Sequence, residues 1–278
     1  MKAATLATLL ATATAARADT LDVAGGRLYY EVRGNGPTVV LIHGGFGDHR
    51  MWDGQLGALA RDFRVVRYDH RGFGRSSRPE KAYSPVADLL LLLDRLDAKT
   101  AHLVGNSMGG TLAIDFAILH PERVGRLVVV ASGASGFPIP PEALVKTREV
   151  FRVAKEKGTK PAAELWLEHP MVAVASRQPS TRGRLRRMVV ENREMFLMEH
   201  WPDEPMEPKA SARLAELKVP TLLILGERDT DLVNSIGKAT AQGIPGTRLG
   251  VLAGTDHLPQ MEKPAEVNAL LREFLGSR

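Results

Sequence analysis

The chain has 278 residues, 44% hydrophobic and 25% charged, with a formal charge of +5 and no cysteine. That apolar content builds a sizeable core and rules out wholesale disorder, and the absence of cysteine removes disulfides, thiol catalysis and thiolate metal sites. A positive charge this small and diffuse does not argue for nucleic acid. At the N-terminus, Met1 to Ala18 carries one early Lys2, no acid and a small-apolar stretch, ending in Ala16-Arg17-Ala18. Small residues at those two positions are what a signal peptidase inspects, so the segment is expected to be an export leader cleaved after Ala18. It is too short and too rich in Thr to span a bilayer as a helix, and no later run reads as a membrane anchor.

Strand-like segments then fall at residues 27–33, 38–43, 63–68, 101–105 and 127–130, and again at 221–226 and 249–252. Helical patterns occupy 85–96, 107–120, 233–241 and 264–275. Strands rich in Val, Ile and Leu that alternate with helices predict an α/β fold, a mostly parallel central sheet covered by helices on both faces. The alternation breaks between about Gly136 and Arg213, where the chain turns Pro-rich and then helical without strands. The expected organisation is a core of residues 19–135 and 214–278, with an all-helical insertion, 136–213, capping the carboxyl edge of the sheet. Ligands bind at that edge in open sheets.

The string Gly105-Asn106-Ser107-Met108-Gly109-Gly110 follows one strand directly and opens the next helix. A sharp strand-to-helix turn of the G-x-S-x-G type exposes the serine hydroxyl, and its glycines are needed because side chains there would collide. Ser107 is therefore the candidate nucleophile. A serine hydroxyl needs a base, and the base needs an acid to hold it. His257, after the last strand and before the final helix, is the candidate base. The turn after residues 221–226 offers Asp229, Asp231 and Glu227, preferred in that order. Backbone amides of Met108 and of the loop His43-Gly44-Gly45-Phe46, from Phe46 or Gly45, are the candidate oxyanion donors. His43 is expected to brace that loop. His49, His120, His169 and His200 read as surface or insertion residues, and His70 and His102 as lying near strand ends. No His pair has zinc-ligand spacing, so no metal and no cofactor is expected.

From about Leu28 to Gly276 the chain resembles the α/β-hydrolase fold serine hydrolases. The resemblance rests on His43-Gly44-Gly45-Phe46 with Asp48 and Trp52, on Asp69-His-Arg-Gly-Phe-Gly-Arg-Ser76, and on Gly105 to Gly110. His120-Pro-Glu-Arg123, Gly226-Glu-Arg-Asp229, and His257 followed by Glu262-Lys-Pro264 complete it. It implies Ser107, Asp229 and His257 as the catalytic set, Phe46 and Met108 as oxyanion donors, and the Asp69 to Ser76 turn as architecture. The nearest in character are enol-lactonases, small-ester hydrolases and cofactor-free perhydrolases, so the implied partner is a small ester or lactone. Hydrolases of carbon–carbon bonds share the GNSMGG string but usually carry Ser and Gly where this chain has Gly45 and Phe46. In the insertion, Trp166, Trp201, Phe196, Met171, Met188, Met195 and Met198 either line the pocket or pack the helices. Arg182, Arg184, Arg186 and Arg187 either form a solvated face or attract an anionic substrate.

Overall fold

The computed structural model describes residues 16–198 and 206–277. Eight strands form one sheet in the order β1-β2-β4-β3-β5-β6-β7-β8. They are β1 (Arg17–Val23), β2 (Gly26–Arg33), β3 (Thr38–Ile42), β4 (Arg64–Tyr68), β5 (Ala101–Asn106), β6 (Val124–Val130), β7 (Thr221–Gly226) and β8 (Arg248–Leu252). The pairs β1–β2 and β2–β4 are antiparallel and the other five are parallel.

β1 overlaps the last two residues of the expected leader. Arg17 and Ala18, expected in the leader, pair with Val32 and Glu31 of β2, so a cut after Ala18 would fall inside a strand. The cause is a period-two pattern in which Asp19, Leu21 and Val23 face a half-buried side and their neighbours face solvent. Residues 1–15 of the expected leader lie outside the described residues.

The helices are α1 (Asp53–Leu59), α2 (Pro85–Arg95), α3 (Met108–Leu119), α4 (Val145–Lys157), α5 (Thr159–Leu167), α6 (Pro179–Glu191), α7 (Arg193–Leu197), α8 (Asp231–Gly243), α9 (Pro259–Glu262) and α10 (Pro264–Gly276). Continuous apolar strands conceal the alternation that builds two cores. Val39 and Leu41 of β3 face one cluster with Leu56 of α1 and Leu271 of α10. Val40 and Ile42 face the other, with Leu92 of α2 and Phe116 of α3. All four β3 residues are 0% exposed, and burial of each such side chain contributes about 1.5–3 kcal/mol. Local signals start the helices. Ser84 Oγ accepts from Ala87 N at 3.2 Å, and Pro85 occupies the first turn of α2, where its missing N–H costs nothing.

The strand order reverses at β3, which pairs with β4 on one side and β5 on the other. The crevice outside the carboxyl ends of β3 and β5 is thus the switch point where open sheets bind ligands. Between β6 and β7 the described residues form helices α4 to α7 and short 3-10 turns, with no strand. Hydrogen bonds from Asn192 and to Asp256 are among those that tie this insertion to the core. Asn192 donates through Nδ2 to Gly47 O (3.1 Å) and accepts from Gly74 N (2.7 Å). Asp256 Oδ2 accepts from the backbone N–H groups of Val174 (2.6 Å) and Ala175 (3.2 Å).

Candidate active site

Ser107 sits between β5 and α3 with φ 51° and ψ −120°, a left-handed conformation that a serine adopts only when its surroundings force it. Two glycines make the turn. A Cβ on Gly105 would stand 2.2 Å from Gly109 O, and one on Gly109 would stand 2.4 Å from Ile42 O. Only bare backbone lets α3 approach β3 and β5 this closely. Ser107 O is held in turn, accepting from Gly110 N, Thr111 N and Ser132 Oγ.

His257 follows β8. Its Nδ1–H donates to Asp229 Oδ2 at 2.7 Å, and both residues are buried. Asp229 comes from the turn after β7, where its other carboxylate oxygen accepts from Thr230 N at 2.7 Å. Of the three carboxylates in that turn, the structure brings Asp229 to the histidine. Asp231 is exposed as the first residue of α8, and Glu227 accepts from Gly254 N at the surface. His257 Nε2 is buried and has no hydrogen-bond partner among the described residues.

Ser107 and His257 line one cavity of 230 Å³. Its walls come from the loop after β3 (Gly45, Phe46), from Met108 and Leu258, and from Trp166 and Met171 of the insertion. Phe46 has φ 58° and stacks on Trp166 with centroids 4.0 Å apart. Met108 is the first residue of α3, so its N–H has no acceptor within the helix. Gly45 leaves open room, since a Cβ there would meet nothing within 4 Å. Trp201 lies outside the described residues, as does His200. Phe196, Met188 and Met195 are buried in the cluster that joins the insertion to one face of the sheet, and none of them lines this cavity. None of the four arginines of α6 lines this cavity; Arg182 and Arg186 pair with Glu164, and Arg182 also with Glu168.

His43 braces the loop as expected. Its Nδ1–H donates to Gly44 O (2.8 Å) and its Nε2 accepts from His70 N (3.0 Å), and burial holds its pKa below the ordinary histidine value. His49 is a correction: it is buried rather than superficial, because the Asp69 carboxylate in the following turn needs a donor. His49 supplies both its backbone N–H (2.7 Å) and Nδ1–H (2.8 Å) to Asp69 Oδ1. Asp48, His49 and Asp69 lie within metal-ligand reach of one another. Their oxygens are already taken, Asp48 by Arg50 and Asp69 by His49 and Arg75 N, so the cluster is a hydrogen-bond brace.

Three site residues escaped the sequence reading. Asn106 Nδ2 donates to His257 O (3.0 Å) and Val130 O (3.2 Å), joining the serine turn to the histidine loop. Asp256 and Glu262 form a buried acidic pair in which Asp256 N donates to both Glu262 oxygens at 3.1 and 3.2 Å. Burial and the neighbouring Asp256 carboxylate push Glu262 up to about 9, and burial raises Asp256 as well. His257 N also donates to Met171 O at 3.2 Å, so the histidine loop is fastened to the insertion at His257 as well as at Asp256. Asn106 and Glu262 stood within the motifs without a role; Asp256 lies six residues from Glu262, and only the contacts to Val174 and Ala175 of the insertion are long-range.

The sequence model of the alpha/beta hydrolase fold matches residues 37–264. Among curated relatives, the 2-hydroxy-6-oxononadienedioate/2-hydroxy-6-oxononatrienedioate hydrolase of Paraburkholderia phymatum is 29% identical over 265 residues, covering 90% of this chain and 91% of that protein. Among solved structures, the enol-lactonase from Burkholderia xenovorans superposes with a TM-score of 0.78 at 27% identity, covering 93% of this chain and 100% of the other. A thermophilic esterase from Thermogutta terrifontis gives a TM-score of 0.79 at 28% identity, with 95% and 98% covered. With the sheet order, the serine turn and this match in hand, the chain belongs to the alpha/beta hydrolase fold family.

Proposed function

We propose that the protein is a serine hydrolase that cleaves small carboxylic esters or lactones. The observation that carries the reading is a single cavity holding Ser107 on a strained turn and the unpartnered Nε2 of His257, whose Nδ1 is held by Asp229. In this reading His257 Nε2 takes the proton of Ser107 Oγ as that oxygen attacks the carbonyl carbon. Asp229 keeps the imidazole in the tautomer that leaves Nε2 free to accept, and stabilises the imidazolium. The N–H groups of Met108 and Phe46 receive the oxyanion. Collapse returns the proton to the leaving alkoxide, and a water deprotonated by His257 then hydrolyses the acyl-enzyme. The helical insertion, residues 136–213, acts as the cap that excludes bulk water.

The cavity wall selects the substrate. Gly45, Phe46, Leu144, Trp166, Met171 and Leu185 are apolar, and no Lys or Arg lines the cavity among the described residues. Such a site suits an uncharged acyl group, because a carboxylate would lose hydration there without a compensating cation. This favours esters and lactones over a dicarboxylate of the kind named in the Paraburkholderia relative. The loop residues Gly45 and Phe46 point the same way, since carbon–carbon hydrolases usually carry Ser and Gly there.

Intact-mass spectrometry after treatment with a fluorophosphonate tests the assignment. Wild type should gain one adduct and hydrolyse p-nitrophenyl butyrate, whereas folded Ser107→Ala should do neither. A folded wild type that takes no adduct would sink the reading in favour of a ligand-binding member of the fold.

A further inference from the structure

Two cavities meet at one side chain. Beyond the 230 Å³ cavity of Ser107 and His257, a second cleft of 510 Å³ opens between α3 and the turn entering α2. Its apolar wall includes Phe73, Tyr83, Val86, Leu112 and Leu119. Among the described residues Met108 is the one that lines both. We propose that the Met108 side chain is the partition that sets substrate length, and that the cleft behind it receives the alkyl tail of an acyl group too long for the inner cavity. This deepens the esterase reading and rests on it.

Size comes first. The inner cavity is smaller than the roughly 300–1,000 Å³ of typical small-molecule sites, and joined to the cleft it would fall within that range. Position comes second. Met108 follows the nucleophile directly and lines both the cavity of Ser107 and the cleft, so it stands between the reacting carbonyl and the cleft. Its backbone N–H serves the oxyanion, and its side chain is left to shape the route. Chemistry comes third. A thioether on an unbranched chain is apolar and has three rotatable bonds, so it seals a gap and yields to an alkyl tail. The cleft carries Asp115 and Glu207 but no Lys or Arg among its described lining residues, which suits a neutral tail and repels a carboxylate.

The test compares kcat/KM for p-nitrophenyl butyrate and p-nitrophenyl decanoate. Met108→Ala should raise the decanoate-to-butyrate ratio at least about tenfold, since each methylene seated in an apolar pocket is worth about that factor or more. Adding Val86→Trp or Leu119→Trp, which fill the cleft from its half-buried and exposed rims, should return the ratio toward wild type. An unchanged ratio in Met108→Ala overturns the proposal. So does a raised ratio that neither tryptophan reverses, because the tail would then lie elsewhere. Met108→Ser provides a second truncation if the alanine variant fails to fold. Loss of the esterase reading itself is seen separately, as absence of the fluorophosphonate adduct and of butyrate turnover in wild type.

Discussion

At the scale of single residues, the site turns on which carboxylate meets which nitrogen. The turn after β7 places three acids within five positions, and their chemistry is interchangeable on paper. Geometry separates them, because Asp229 is buried at 2.7 Å from His257 Nδ1 while Asp231 faces solvent at the start of α8. Asp229→Asn should lower kcat for p-nitrophenyl butyrate by about 10⁴, since an amide that donates to Nδ1 enforces the wrong tautomer. Asp231→Asn should leave kcat within about twofold, as expected of a surface position. Stopped assays on the purified pair measure both. Asp229 was legible in the sequence as a preference, resting on its place after a strand. The role of Glu262 was not, because its pairing with Asp256, only six residues away, is buried by insertion amides that come from a distant segment.

At the scale of elements, the decisive unit is the β5–turn–α3 segment. Its glycines were readable as a requirement for close approach, and the contacts give the distance: Gly109 backs onto Ile42 O of β3. Gly109→Ala would drive a Cβ against backbone that cannot rotate away. It should lower the unfolding free energy by about 1–3 kcal/mol, read from urea denaturation, and esterase activity should fall with it because Ser107 moves too. The central strands were also legible, β3 and β7 most plainly, because both faces are covered and the apolar run is unbroken. β1 was not read as a strand, and its first two residues were placed in the expected leader, because an edge strand needs only a weak alternation and its pairing with β2 supplies the rest. At this scale too, Arg182 and Arg186 of α6 lie against Glu164 and Glu168, and none of the four arginines of that helix lines the cavity.

At the scale of the whole molecule, the insertion and the sheet are held together through the histidine loop. Val174 and Ala175 donate to Asp256, which in turn donates to Glu262, and Ala175, Asp256 and Glu262 are buried. An acid whose native pKa is raised to about 9 keeps its proton in the folded state while the unfolded chain releases it near 4.5. The folded protein therefore binds more protons between those values, and stability contributed by the protonated pair is lost as pH rises through that window. Glu262→Gln keeps a donor toward Asp256 and removes the titration. Its melting temperature should exceed wild type at pH 8, and the gap should close by about pH 5, as differential scanning calorimetry would record. A gap that persists at pH 5 would mean the glutamate is not protonated in the native state.

The strand–helix alternation, the serine turn, the order Ser107, Asp229, His257 and the helical insertion were all present in the one-dimensional pattern. They are legible because each depends on local periodicity or on backbone sterics within a few residues. The hydrogen bond that brings Asp229 to His257, the burial of His49, the insertion amides that hold Asp256 and the place of Met108 in the lining of two cavities belong to the tertiary structure alone. Each joins segments well separated in the chain, and no spacing rule in the sequence records how such segments meet.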